Sequence, residues 1–154
     1  MLVTTKRLYP EAEQAEELFL EGYACSQSML MAFSHRYGLD IETAKRIAST
    51  FGGGMSRLRK TCGALTGAFM VLGLEFGNVI PNDMDTKLGA YKKVRDLKQK
   101  FEKIHGCTDC RDLLKKYTSR DDVRRRNHHR QICYQFVREV GELLTDTLDE
   151  KKSE

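Results

Sequence analysis

Apolar residues recur at intervals of three and four along almost the whole chain, the spacing that lines one face of an α-helix. Ala12, Ala15, Leu18 and Phe19 mark the face of a first helix, which Pro10 opens from a first-turn position and Gly22 stops. A second helix follows almost at once, about Tyr23 to Tyr37, with Cys25, Met29, Ala32, Phe33 and Arg36 at helical spacing and Gly38 as a left-handed cap. Asp40 caps a third, in which Ile41, Ala44, Ile47, Ala48 and Phe51 recur in the same way. The fourth, about Thr61 to Phe76, is apolar on nearly every side, which places it at the centre of a packed molecule. After the break at GNVIPND, Asn82 or Asp83 caps a long amphipathic fifth helix with Met84, Leu88, Tyr91, Val94, Leu97, Phe101 and Ile104 on one face. HGCTDC turns the chain into a short sixth helix, about Cys110 to Tyr117. Beyond TSRDD a last helix runs to about Leu148, its apolar face carried by Ile132, Phe136, Val140 and Leu143.

No segment requires a strand, and there is no internal repeat, low-complexity linker or domain boundary. The expected fold is an all-α, single-domain bundle of six to seven helices over residues 1–154, with helices two and four at its centre and a frayed tail at 149–154. A chain of 154 residues suffices for a real hydrophobic core. The longest uncharged segment, Thr61 to Leu74, falls short of the roughly 20 residues that span a bilayer. The opening MLVTTKRLYP holds no apolar run of the secretory kind. These features predict a soluble, cytoplasmic protein with no membrane partner.

Charge changes this picture little. The formal net charge of +4 comes from acidic and basic residues mixed throughout. The densest basic run, RRRNHHR at 124–130, follows Asp121 and Asp122 and lacks interleaved aromatics, so it reads as a solvated helix end. No nucleic-acid partner is expected. The apolar seam of helix five leaves two uses open, an intramolecular core or a homodimer.

Cysteine changes the picture most. Five cysteines in a chain without an export signal point to metal binding or redox chemistry, and the odd count argues against a fully paired framework. Three of them share one local setting. Cys25, Cys62 and Cys110 fall in the first turns of helices two, four and six, with Thr61 a candidate cap for helix four and Thr108 or Asp109 for helix six. Unpaired amides and the positive end of the helix dipole favour thiolate there, so lowered thiol pKa values are expected. Cys133 lies inside the last helix on its apolar side.

Glycine adds a second signal, because each one in a helix interior costs roughly 1 kcal/mol relative to alanine. Gly63 and Gly67 sit one turn apart, as do Ala64 and Ala68. Such a small-residue face admits either a neighbouring helix or a compact bound group. Gly52, Gly53 and Gly54 form a sharp turn or a backbone nest for an anion, with Arg57, Arg59 and Lys60 beside it. All five glycines are candidate cofactor contacts.

Cys25 in YACSQSMLMAF, Cys62 in CGALTG, Cys110 in CRDLL and Cys133 in CYQFVREVGELL together resemble a family of redox-active proteins named for a C, GCAxxG, C, C pattern. The resemblance runs from about Tyr23 to Leu148 and implies an all-helical domain of this size with a redox role. That family is also similar to an iron–sulfur-bearing part of a bacterial multihaem cytochrome, which implies a cluster. Cys-x-x-Cys-His is absent here, so covalent haem is not expected. Two departures stand out: Thr61 precedes Cys62 in place of a glycine, and Cys107 is an additional thiol.

Three readings follow. Cys25, Cys62, Cys110 and Cys133 are the usual complement of an iron–sulfur cluster, although no compact ligand motif brings them together. With no such motif, thiol–disulfide chemistry or generic electron transfer is favoured over the cluster, and all five cysteines, Cys107 included, are candidates for it. In that reading CTDC offers Cys107 as nucleophile and Cys110 as resolving thiol, and the only cofactor is a redox disulfide. In the third reading the chain is a helical interaction module with inert buried thiols. The first two imply a redox partner protein and class the chain as an electron carrier or oxidoreductase. His129 shares a helix spacing with Cys133, but the polar surroundings of His128 and His129 favour exposed side chains. His35, His105 and Glu75 complete no catalytic set.

Overall fold

The computed structural model describes residues 7–118 and 130–150. Within them the chain folds as seven α-helices: α1 (Pro10–Glu21), α2 (Cys25–Phe33), α3 (Ile41–Ala48), α4 (Gly63–Phe76), α5 (Met84–His105), α6 (Cys110–Tyr117) and α7 (Arg130–Glu150). Short 3-10 turns, Ser34–Tyr37 and Ser49–Phe51, extend α2 and α3, and a single helical turn, Gly52–Met55, leads out of the second. The fold is therefore the all-α single domain that the periodicity predicts. The basic run through Arg126, the histidines His128 and His129 and the last residues of the tail lie outside the described residues.

Local chemistry explains the boundaries. Gly38 adopts the left-handed conformation (φ 63°) that ends the 3-10 turn after α2. Asp40 caps α3 by accepting from the Thr43 amide at 3.0 Å. Asp83, rather than Asn82, caps α5 by accepting from Thr86 at 3.2 Å. At the start of α4 the cap differs from expectation: the helix begins at Gly63, so Cys62 itself holds the capping position and Thr61 lies outside. Asp109 holds that position for α6, but its side chain makes no capping hydrogen bond.

The centre is as expected. α4 packs against α2, α5 and α7, and α2 also packs against α1 and α3. Met29, Leu30, Phe33, Leu65, Val71, Leu72, Leu97, Phe101, Val137, Val140 and Leu144 are fully or almost fully buried between them. Two glycines set how closely helices approach. A Cβ on Gly67 would lie 2.8 Å from Met29 Cβ and from the Ser26 carbonyl oxygen, and one on Gly141 would lie 2.8 Å from Ala12 Cα. Gly67 thus pulls α4 onto α2, and Gly141 pulls α7 onto α1. The α5 seam divides. Leu97 and Phe101 are buried, whereas Met84, Leu88 and Tyr91 at its start are about half exposed. Among the described residues no helix is long and apolar enough to cross a membrane.

Candidate functional site

Among the described residues, the segment between α3 and α4 has the least ordinary backbone. Five residues in succession carry positive φ: Gly53 (69°), Gly54 (72°), Met55 (63°), Ser56 (54°) and Arg57 (62°), and Arg59 (62°) repeats it. Each non-glycine residue there costs roughly 1–2 kcal/mol. Such strain persists only where surrounding contacts over-determine it. The contacts are specific. The Lys60 amide donates to the Gly54 carbonyl at 3.0 Å, and a Cβ on Gly54 would lie 2.7 Å from Cys110 Cβ. Gly54 is buried beneath Cys110, and the left-handed turn forms the seat for the start of α6.

A small ladder then joins two helix starts that are distant in sequence. Thr61 and Asp109 form an antiparallel bridge. The Cys62 amide donates to Thr108 at 2.9 Å, the Cys110 amide to Lys60 at 2.6 Å and the Arg111 amide to Arg59 at 3.3 Å. These bonds set the first residues of α4 and α6 side by side, with Cys62 and Cys110 at their ends. Helical periodicity carries no signal for this ladder, because the segments that form it lie between helices.

α2 brings the third thiol. The Ala24 amide donates to Gln27 Oε1 at 3.0 Å, and Gln27 Nε2 donates to the Lys45 carbonyl, tying the start of α2 to α3. Buried Ser26 reinforces the tie by donating to the Ala48 carbonyl at 2.7 Å. Cys25 then faces Gly63, where an added Cβ would collide with its sulfur. Gly63 thus clears space for a cysteine, whereas Gly67 serves helix packing. The fourth thiol, Cys133, comes from α7.

These four cysteines, Cys25, Cys62, Cys110 and Cys133, line a single cavity of about 470 Å³ together with Gly52, Gly53 and Gly63. Cys107 does not line it: its thiol turns back toward the His105 carbonyl, 3.7 Å away. The structure thus separates the two cysteines of CTDC into different surroundings. All five are free thiols. Within Gly52–Gly54, the Gly53 amide favours the ionised form of the Cys25 thiol.

Lowered thiol pKa values are not found at Cys25, Cys62 or Cys133, and the reason is desolvation. Burial pushes the Cys25 thiol above its ordinary value and outweighs the Gly53 and Ser26 amides, which favour the ionised form. Burial pushes Cys62 much further. The Cys25 and Cys133 sulfurs add to that rise, while the Ala64 and Leu65 amides at the open end of α4 oppose it. Cys133, which lacks a helix start, is pushed up to about 12 by burial, with Cys25 and Cys110 adding to the rise. Cys107 is raised as well, mainly by burial, against the pull of Lys116. The helix-terminus effect is present and loses to the loss of water.

Positive charge surrounds the thiols. Arg59 Nη1 donates to Cys110 Sγ at 3.4 Å. Arg57 and Arg130 also line the cavity. Arg130 donates to the Phe19 carbonyl and places its guanidinium carbon 4.7 Å from the centre of the Phe19 ring. Sequence reading counts Arg130 only within a solvated basic run, and nothing in the run distinguishes its last member. Next to the cavity, across Phe136, His105 Nδ1 lies 2.7 Å from the Tyr117 hydroxyl and Nε2 lies 2.5 Å from Glu139. This part-buried cross-link joins α5, α6 and α7.

The family model described as "Putative redox-active protein (C_GCAxxG_C_C)" matches residues 23–147. The chain belongs to this family. The matched region contains all four cavity cysteines, the left-handed turn and the ladder. This member is also similar to an uncharacterized protein of Archaeoglobus fulgidus, 26% identical over 154 residues that cover 93% of this chain and 99% of the relative. No solved structure matches it.

Proposed function

We propose that this family member is an electron carrier in which Cys25, Cys62, Cys110 and Cys133 hold a polynuclear iron–sulfur cluster. The observation that carries the proposal is the convergence of four thiols from four different helices on one cavity, with the fifth thiol left out. Four cysteines are the usual ligand set of such clusters. Among the described residues no three of His, Cys, Asp and Glu come together as a set for a single metal ion. The four thiols instead line the wall of one cavity. Gly63 keeps the wall beside Cys25 free of a side chain, and Arg59 and the Gly53 amide direct N–H groups at sulfur. Hydrogen bonds of this kind stabilise ligating thiolates and tune them.

When bound, the cluster supplies one-electron transfer. The chain's own residues hold it, screen its negative charge with guanidinium and amide groups, and limit water with Phe19, Leu113 and Phe136 in the cavity wall. Raised thiol pKa values work against any chemistry that needs thiolate, so cluster binding here must displace the protons that burial retains, and disulfide exchange meets the same barrier.

Purification without air, followed by iron and sulfide determination and a visible spectrum, tests the proposal. Stoichiometric iron and sulfide in a coloured protein are expected. A colourless, iron-free protein whose thiol count rises by two on reduction would overturn it in favour of a disulfide couple within the same cavity.

A further inference from the structure

The cavity wall carries more positive charge than the bond to Cys110 requires. Arg57, Arg59 and Arg130 line it, and no aspartate or glutamate does. Among the described residues none of the three pairs with a carboxylate, although the ion pairs elsewhere in the chain include those of Arg7, Arg36 and Arg138. Other polar side chains of the wall are already engaged. Gln27 accepts from the Ala24 amide and donates to the Lys45 carbonyl. Ser49 and Ser56 donate to the Arg46 and Thr50 carbonyls, each at 2.7 Å. Spare donors therefore belong to the guanidinium groups. Each carries five N–H groups, of which Arg59 gives one to Cys110 and Arg130 one to Phe19.

The field points the same way. A concave, low-dielectric wall of one sign concentrates ions of the opposite sign at its mouth. Arg57 is exposed and held at the rim by its left-handed backbone.

We propose that the cavity admits a small anionic electron donor or acceptor, seated on Arg57, Arg59 and Arg130 beside the redox centre. This rests on the reading of the four-thiol cavity as that centre and adds the charge class of the reagent that exchanges electrons with it. In the oxidising direction one electron leaves the reduced centre for each molecule of a one-electron acceptor.

The test follows oxidation of the reduced protein by stopped flow with ferricyanide and with hexaammineruthenium(III), at low and high salt. Bleaching of the chromophore reports the reaction or, if iron is absent, loss of titratable thiol does. Ferricyanide oxidation is expected to slow with salt, to be inhibited saturably by sulfate at constant ionic strength, and to slow several-fold in Arg57→Gln but not in Arg57→Lys. Lys92→Gln on α5 removes the same net charge far from the cavity and is expected to change nothing. Arg130→Gln is expected to behave like Arg57→Gln, but exposed Arg57 is the deciding position because Arg130 also supports Phe19. Equal effects of Arg57→Gln and Lys92→Gln, or no saturable sulfate inhibition, would overturn the anion site and leave the redox reading standing. Failure of both oxidants to take electrons would remove the redox reading and this inference with it.

Discussion

Arginine does opposite work in two regions of this molecule. Along the seam where α1 meets the end of α2 and α7, arginines are neutralised. Arg138 reaches Glu16 at 3.1 Å, Glu142 at 2.9 Å and Glu13 at 3.5 Å. Arg7 holds Asp146 and Asp149, and Arg36 holds Glu11 at 2.7 Å. Around the thiol cavity, Arg57, Arg59 and Arg130 face sulfur, a carbonyl and solvent with no carboxylate partner among the described residues. One set closes the bundle. The other is the positive charge on which the proposed anion site rests.

Substitutions can break this contrast. The largest effect is expected at the thiols: Cys25→Ser, Cys62→Ser, Cys110→Ser or Cys133→Ser should each remove nearly all bound iron, while Cys107→Ser retains it, as iron analysis and the visible spectrum will show. On the seam, Arg36→Ala strands the buried Glu11 carboxylate, one of whose oxygens already lacks a hydrogen-bond partner. Loss of one partner from a largely buried pair costs about 3 kcal/mol, readable by urea unfolding. The same experiment on Arg57→Gln should show a change within about 0.5 kcal/mol. A seam arginine that leaves stability unchanged would erase the distinction.

Smaller effects sharpen it. Gly63→Ala forces a methyl group against the Cys25 sulfur and is expected to destabilise by about 2 kcal/mol, with a lower iron content, because the space exists for the thiol. The pH dependence has a definite sign. Burial opposes ionised Glu11 most strongly, but the Arg36 hydrogen bond, the Glu11 amide and the charges of Arg36 and His35 together outweigh it and leave the Glu11 pKa below its ordinary 4.5. Stability from this pair is full above that value and falls as pH drops through it. In the metal-free protein the folded-state pKa of Cys133 lies above that of the unfolded chain. Stability should therefore fall as pH rises from 9 toward about 12, in denaturation curves measured across that window. Last, Arg59→Gln removes a charged donor from Cys110 and should lower the midpoint potential in a spectroelectrochemical titration while leaving iron content unchanged.

The bundle was legible because helical spacing, caps and glycine stops act locally: Asp40, Gly38 and the buried face of α4 are where periodicity puts them. The grouping of cysteines was half legible. Their helix-start positions are visible in the chain, but nothing local says that Thr61 pairs with Asp109 or that Cys107 turns away from the cavity. Thiol acidity was misread for a related reason. A helix terminus can be seen in a sequence, whereas desolvation depends on what packs over it. Gly63 and Gly67 look alike at one-turn spacing, and only the neighbouring helix separates a space for sulfur from a helix contact.

The four cavity thiols arise from positions 25, 62, 110 and 133, and the ladder that aligns two of them joins residues nearly fifty apart. No fragment that stops before α7 contains the full set. During synthesis the pocket is therefore completed only after α7 has left the ribosome, and any cargo it carries must be loaded after that point.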